Sequence, residues 1–280
     1  MLPAIITSKT LELQGRRPQW PWNMNQDSWQ AKGLVAWYPL GAHPREGWDF
    51  KSRRYDLTNT NNVPVIQSPL MGRGFGFTAA SSHHFRTNTP PVTAIPLTIA
   101  IWFISPGTTD FSMIVDLHNS AAGATRESFQ TLAFGSSGSF TSTCAAADSN
   151  SFDTTTSSIA WTANQLTHQA GVFVSATSRI AYINGRANGT NVTSSTPASI
   201  NRFTIGGRLG TDTIANPVTG QAFDARIYNR PLIDAEVFAL YDLKTRWDLY
   251  YPIGRIVYSF PQAAVITARV PSRLLLGVGL

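Results

Sequence analysis

The sequence predicts an all-β domain of the sandwich type, with one short helix near its C-terminal end. Residues 97–103, Leu-Thr-Ile-Ala-Ile-Trp-Phe, form a β-branched and aromatic run bounded by Pro96 and Pro106. That pattern suits a fully buried strand and is too short for a helix. Residues 179–183 lead into Asn184-Gly185, a dipeptide that accepts positive φ at both central positions of a tight hairpin turn. A helix is signalled once: after a strand at 222–228 and the turn Asn229-Arg230-Pro231, it starts near Asp234, whose side chain is placed to cap the free amides. With 280 residues, 42% of them hydrophobic, the chain can bury a full core in one large domain.

In chain order, six segments carry the pattern: GLVAWYPL (33–40), GFGFTAASSHHFRT (74–87), PLTIAIWFISP (96–106), THQAGVFVSATSRIAYINGR (167–186), FTIGGR (203–208) and GQAFDARIYNRPLIDAEVFALY (220–241). Their order and spacing resemble a laminin-G-like jelly roll of the concanavalin A-like lectin superfamily, and the last segment is the most specific match. The resemblance implies a two-sheet antiparallel jelly-roll β-sandwich at 33–242 with extended arms at 1–32 and 243–280, and it points to binding rather than catalysis. It also implies that Trp37, Trp102 and Trp161 are core and that His168 packs and hydrogen-bonds within its strand. Residues 116–161, rich in Ser, Thr, Ala and Gly, depart from the family's tightness and read as a long connection that follows a strand at 111–117.

The net charge of +6 is uneven. Residues 1–32 hold Lys9, Arg16, Arg17 and Lys32 against Glu12 and Asp27, and residues 243–280 hold Lys244, Arg246, Arg255, Arg269 and Arg273 against Asp248. The middle of the chain is therefore neutral. The ends are also aromatic and apolar, unlike solvated tails. Two readings follow: they pack on the same sandwich as extra edge strands, or they dock on another protein through Arg16, Arg17, Trp20, Trp22, Trp247, Tyr250, Tyr251 and Arg255. The bases are too dispersed to form a nucleic-acid recognition element. A single cysteine, Cys144, permits no intrachain disulfide and suggests a reducing compartment. The N-terminal stretch lacks a secretory pattern, and no apolar run is long enough for a bilayer span, so the expectation is a protein neither conventionally secreted nor membrane-embedded.

Catalytic and metal-binding patterns are sparse. Asp234 and Glu236 share the two-residue spacing of a strand-borne glycosidase pair, but they open the helix, where acids meet the N-terminal dipole. Glu46 and Asp49 read as members of a solvated loop. His83 and His84 are adjacent, so on a strand they point to opposite faces and do not share an ion. The resemblance implies no cofactor beyond a structural calcium, for which Asp224 is the matching ligand; Phe223 stands where the family has a second Asp. For a sugar, the polar residues Asp116, His118, Asn119 and Arg126 after the 111–117 strand are the candidates, because loops on a rigid sandwich carry specificity. Trp48 joins the tryptophans of the first arm as a plausible exposed ring.

The layout of an aromatic basic start, then KGLVAWYPL, then a jelly roll followed by TRWDLYYPIGR resembles laminin-G-like proteins encoded among structural genes of tailed bacteriophages. That resemblance implies a virion protein, assembled in the host cytoplasm, that decorates the capsid through its arms, with the major capsid protein and further copies of the chain as partners. The alternative is a particle-borne lectin-like adhesin for host polysaccharide; a glycan-processing enzyme is a third reading.

Overall fold

The computed structural model describes residues 16–107, 111–121, 127–136, 139–148, 152–209 and 214–252. In chain order the strands are β1 (Trp22–Met24), β2 (Leu34–Tyr38), β3 (Thr58–Thr60), β4 (Val65–Ser68), β5 (Gly72–Phe77), β6 (His84–Thr87), β7 (Leu97–Ile104), β8 (Phe111–His118), β9 (Ser128–Ser136) and β10 (Ser139–Ala147). They continue as β11 (Phe152–Ala160), β12 (Thr167–Ser175), β13 (Ser178–Ile183), β14 (Arg186–Asn191), β15 (Arg202–Ile205), β16 (Arg208–Leu209), β17 (Ile214–Ala215), β18 (Gly220–Tyr228) and β19 (Tyr250–Pro252). Among the described residues there is one α-helix, Asp234–Tyr241. One antiparallel sheet has seven strands in the order β11-β10-β9-β8-β15-β6-β3. The other has eight, β14-β13-β12-β7-β18-β5-β4, with β2 also pairing with β18. The two face each other as a jelly-roll sandwich.

Two apolar layers result. Between the sheets lie Tyr38, Phe75, Phe85, Ile99, Phe129 and Phe203 with their neighbours. A second cluster covers the outer face of the eight-stranded sheet and includes Trp22, Trp37, Trp102, Val237, Trp247 and Tyr250. This explains β7. Leu97, Ile99, Ile101 and Phe103 enter the inner core while Ala100 and Trp102 enter the outer one, so the strand is buried on both faces and shows no polar alternation.

The hairpin turn is as expected: Asn184 and Gly185 have φ of 49° and 75°. The helix start differs from expectation. Asp234 does not cap; its Oδ1 accepts a hydrogen bond from the Tyr182 hydroxyl at 2.6 Å. Burial and this carboxylate together push the Tyr182 phenol up. Glu236 receives the Ile233 amide at 3.1 Å and pairs with Arg230 at 2.8 Å, which lowers its pKa. Residues 116–161 also differ, since they contain β9, β10 and β11, three nine-residue strands that build one side of the seven-stranded sheet. Small side chains are required there: a Cβ on Gly171 of the opposite sheet would meet the Cβ of Cys144 at 2.8 Å. Cys144 is buried and its thiol is pushed up to about 12, chiefly by burial.

Candidate functional site

Alternate residues of a strand point to opposite faces. On the seven-stranded sheet, Phe85, Val115, Leu117, Phe129 and Phe203 point into the inner core. Arg86, Asp116, His118, Ser128, Gln130, Arg202 and Thr204 therefore occupy the outer face. Strand register aligns them. Asp116 lies opposite Thr204 on β15 and Gln130 on β9, Thr204 lies opposite Arg86 on β6, and Arg86 opposite Thr58 on β3. At strand spacings of about 4.8 Å, the five side chains form a polar row about 19 Å long. A second row sets His118 between Arg202 and Ser128.

The row is graded in exposure. Thr58 is exposed, Arg86 and Arg202 are half-buried, and Thr204, Asp116, His118 and Gln130 are buried. His118 Nδ1 lies 3.1 Å from Asp116 Oδ2, Gln130 donates to Ser128 Oγ at 2.5 Å, and Arg202 Nε donates to Asn88 at 3.2 Å. Asp116 Oδ1 and Gln130 Oε1 receive no hydrogen bond. Such acceptors are costly when left unmet and are normally satisfied by a ligand or ordered water. Asp116 and His118, expected on a loop rim, thus sit at the end of β8. Asn119 follows them, with its Oδ1 accepting from the Ala121 amide at 3.0 Å. Arg126 lies outside the described residues. The sequence reading missed Thr58, Arg86, Gln130, Arg202 and Thr204; the available signal was alternation, since Phe85-Arg86 and Arg202-Phe203-Thr204-Ile205 place an apolar residue inward between polar ones.

Asp224 does not fit a calcium site. Trp37 Nε1 donates to its Oδ2 at 3.1 Å, the Tyr250 hydroxyl donates to the same oxygen, and Arg226 Nε donates to Oδ1 at 2.6 Å. Both oxygens are filled by donors under the outer aromatic cluster, and no group of three or more His, Cys, Asp or Glu able to hold a metal occurs among the described residues. Arg226 also reaches Gln30 at 2.7 Å and the Arg246 carbonyl at 3.1 Å, so this network joins both ends of the chain to the sheet.

That geometry corrects the free-arm reading at four positions. Trp22, Trp247 and Tyr250 are buried in the outer cluster, where Trp22 contacts Trp37 at 5.0 Å and Tyr250 at 4.7 Å between ring centroids. Arg17 is buried as well, its guanidinium donating to the carbonyls of Met71, Phe223, Leu40 and Arg73. The exposed outer face of the eight-stranded sheet would otherwise be a large apolar surface in water, so it is covered by the nearest apolar chain. The described fold therefore extends beyond 33–242 to include the segments around Trp22 and Tyr250. Arg16, Trp20 and Tyr251 remain exposed. Arg255 lies outside the described residues.

Asp49, Glu46 and His168 have structural roles. Asp49, expected in a solvated loop, is fully buried and accepts from the backbone amides of Trp37, Lys51 and Ser52. Glu46 is exposed and accepts from Asn59 at 2.8 Å. His168 packs against Trp102 at 5.0 Å, and burial with the nearby Arg226 and Arg246 lowers its pKa to about 3. Below a pH of about 6.5 the unfolded chain binds a proton here that the native state refuses. Stability from this residue is thus complete above that pH and falls as the pH drops toward 3. His168→Gln should flatten this part of a denaturant-midpoint against pH profile; an unchanged slope would assign acid sensitivity elsewhere.

Comparison with known proteins agrees with the fold. The chain is similar in structure to Domain 4 of AbnA, a GH43 extracellular arabinanase from Geobacillus stearothermophilus, in complex with arabinotriose, with a TM-score of 0.58 and 16% identity over 75% of this chain and 98% of that one. It is also similar to the binding domain of Paraclostridial Mosquitocidal Protein 1 (TM-score 0.57, 14% identity, 76% and 52% covered). The binding domain of Botulinum Neurotoxin DC in complex with SialylT matches with a TM-score of 0.53 and 11% identity, at 76% and 52% coverage. The match spans about half of each toxin chain. No curated protein sequence matches. No helix of the described residues is long and apolar enough to cross a membrane. The Laminin_G_3 family model matches residues 79–238, more than half of the chain, so the chain belongs to the concanavalin A-like lectin/glucanases superfamily.

Proposed function

We propose that this domain is a non-catalytic carbohydrate-binding module that takes up a short stretch of polysaccharide along the outer face of its seven-stranded sheet. The polar row from Thr58 through Arg86, Thr204 and Asp116 to Gln130 carries the reading. Its outer end carries exposed Thr58 and half-buried Arg86, with Arg202 in the neighbouring row, and its buried end holds acceptors without donors on Asp116 and Gln130, a polar set suited to the hydroxyl groups of a sugar chain. Two structural relatives were solved with ligands, AbnA Domain 4 with arabinotriose and the neurotoxin binding domain with SialylT, which supports a glycan over other ligands. Arg17, Trp22, Trp247 and Tyr250 are internal and so unavailable as docking residues, which leaves capsid decoration to other residues of the two ends. The virion setting rests on the sequence resemblance alone. Within it, a particle-borne adhesin for host polysaccharide is the form consistent with the site, and imaging of purified particles tests it: copies at the tail tip support adhesion, and a lattice on the head supports decoration.

The module itself is tested on a glycan array, followed by calorimetric titration of the full chain with the best binder. Arg86→Ala with Arg202→Ala should weaken that binding about tenfold, the loss expected for charge-assisted hydrogen bonds, while the unfolding midpoint stays in place. Wild-type affinity in this double variant would move the site off the sheet face, and a silent array would refute glycan binding.

A further inference from the structure

The loop between β2 and β3 is unusually well fixed for a connection of its length. Asp49 at its centre is buried, and its side chain accepts from Trp37, Lys51 and Ser52, with the Ser52 hydroxyl at 2.6 Å. The Asp49 amide donates to Asp56 at 2.8 Å, and the Leu57 amide to the Gly47 carbonyl at 2.8 Å. Gly47 has φ of 68°, and a Cβ there would lie 2.2 Å from the Leu57 carbonyl oxygen, so the approach requires glycine. The loop is a rigid platform rather than the solvated segment its sequence suggests.

Its outer side carries rings and arginines. The guanidinium carbons of Arg45 and Arg53 lie 4.5 Å and 3.1 Å from the Trp48 ring centroid, and His43 stacks on Trp48 at 5.4 Å with an interplanar angle of 20°. Trp20, 44% exposed, sets an edge against His43 at 4.3 Å. Arg53 is neutralised by Asp56 at 2.6 Å. Arg45 and Arg54 are exposed and have no ion-pair partner among the described residues. The Arg45 amide donates to His43 Nδ1 at 3.0 Å, which leaves the imidazole proton on Nε2, and burial lowers the His43 pKa and so favours this neutral form.

We propose that Arg45 on Trp48 and the adjoining Trp20–His43 surface form a second subsite, one that recognises a carboxylated sugar residue. A guanidinium held over an indole has fewer orientations to lose when it gives two parallel hydrogen bonds to a carboxylate. The exposed Trp20 ring, joined to the same cluster through His43, offers an apolar surface to a sugar ring, as an aromatic with one wet side does at interfaces. Arg202 of the sheet face is engaged by Asn88, whereas Arg45 stands over an indole with no ion-pair partner among the described residues, so the loop is the place where an acidic residue of the glycan is read. This proposal rests on the glycan-binding reading above and narrows the ligand to an acidic polysaccharide.

The test compares binding of a hexameric oligogalacturonate with its carboxyl-reduced galactose counterpart, using the full chain at low and moderate salt. The acidic hexamer should bind about tenfold more tightly, an advantage that shrinks with salt. Arg45→Gln should abolish the preference without shifting the unfolding midpoint, Arg45→Lys should restore only part of it, and Arg86→Ala with Arg202→Ala should weaken both hexamers and keep their ratio. Equal binding of the two hexamers by the wild type, or a preference that survives Arg45→Gln, overturns the acidic subsite and leaves the sheet-face site standing. If the wild type binds neither hexamer yet binds other neutral glycans, the acidic subsite alone falls; if it binds no glycan at all, both fall.

Discussion

Replacing Asp224 by Ala is expected to lower the unfolding free energy by about 3–5 kcal/mol, the loss typical of a buried ion pair that loses one partner. The carboxylate is 1% exposed and is the acceptor shared by Arg226, Trp37 and Tyr250. Its removal leaves a buried guanidinium, an indole N–H and a phenol unmet under the aromatic layer, beside the equally buried Arg17. Burial lowers the pKa of Arg226 and the nearby Asp224 carboxylate more than offsets this, so without Asp224 the guanidinium keeps its charge and loses the carboxylate that balances it. In a domain of this size the melting temperature should drop by about 10 °C. A chelator should not reproduce the effect, because both oxygens are filled by protein donors. A midpoint that stays at the wild-type value would mean that the ends are held by ring packing alone.

The adjacent tyrosines of β19 should behave in opposite ways. Tyr250 is buried with ring contacts to Trp22 and Trp37 at 4.7 Å each, and Tyr250→Ala should cost about 3–5 kcal/mol, as large aromatic truncations in cores do. Tyr251 is 62% exposed on the other face of the same strand, and Tyr251→Ala should change stability by less than about 0.5 kcal/mol. Urea unfolding of the two single variants decides the matter. Similar small losses in both would restore the view that this segment lies free of the sandwich, available to a partner.

These tyrosines mark where the sequence stops being legible. The strands of the central sandwich could be read because β-branched runs, flanking prolines and the Asn184-Gly185 turn each dictate local geometry without help from the rest of the chain. An apolar, basic terminal segment dictates nothing comparable. Trp22 and Tyr250 look the same in sequence whether they cover their own sheet or a neighbour's, and only the vacant outer face of β7, where Ala100 and Trp102 point, decides between them. The seven-residue run that identified β7 already held the hint: a strand apolar at both alternations needs a cover on each side. Residues 128–160 were illegible for a different reason, since strands rich in Ala, Ser and Thr lack the bulky alternation that marks a sheet and owe their place to neighbours such as Gly171. Asp116 and His118 were found as polar residues beside a strand end, yet their partners Arg86, Gln130, Arg202 and Thr204 come from three other strands, and register across a sheet is not visible along one chain.

The pairing of β1 with β19 has a mechanical consequence. Trp22 lies opposite Pro252 and Met24 opposite Tyr250, so the first residue of one strand and the last of the other meet at the same end of the ribbon. Tension applied through both ends of the chain would pull this pair apart from that end, loading its hydrogen bonds one after another instead of all at once. On the N-terminal side the load would reach Arg17 first, where one guanidinium grips four backbone carbonyls. Among the described residues of the C-terminal side, the corresponding anchor is Tyr250 with its bond to Asp224. Under traction the two strands should therefore part from that shared end, peeling β19 from β1 and baring the outer aromatic layer while the sandwich beneath is still whole.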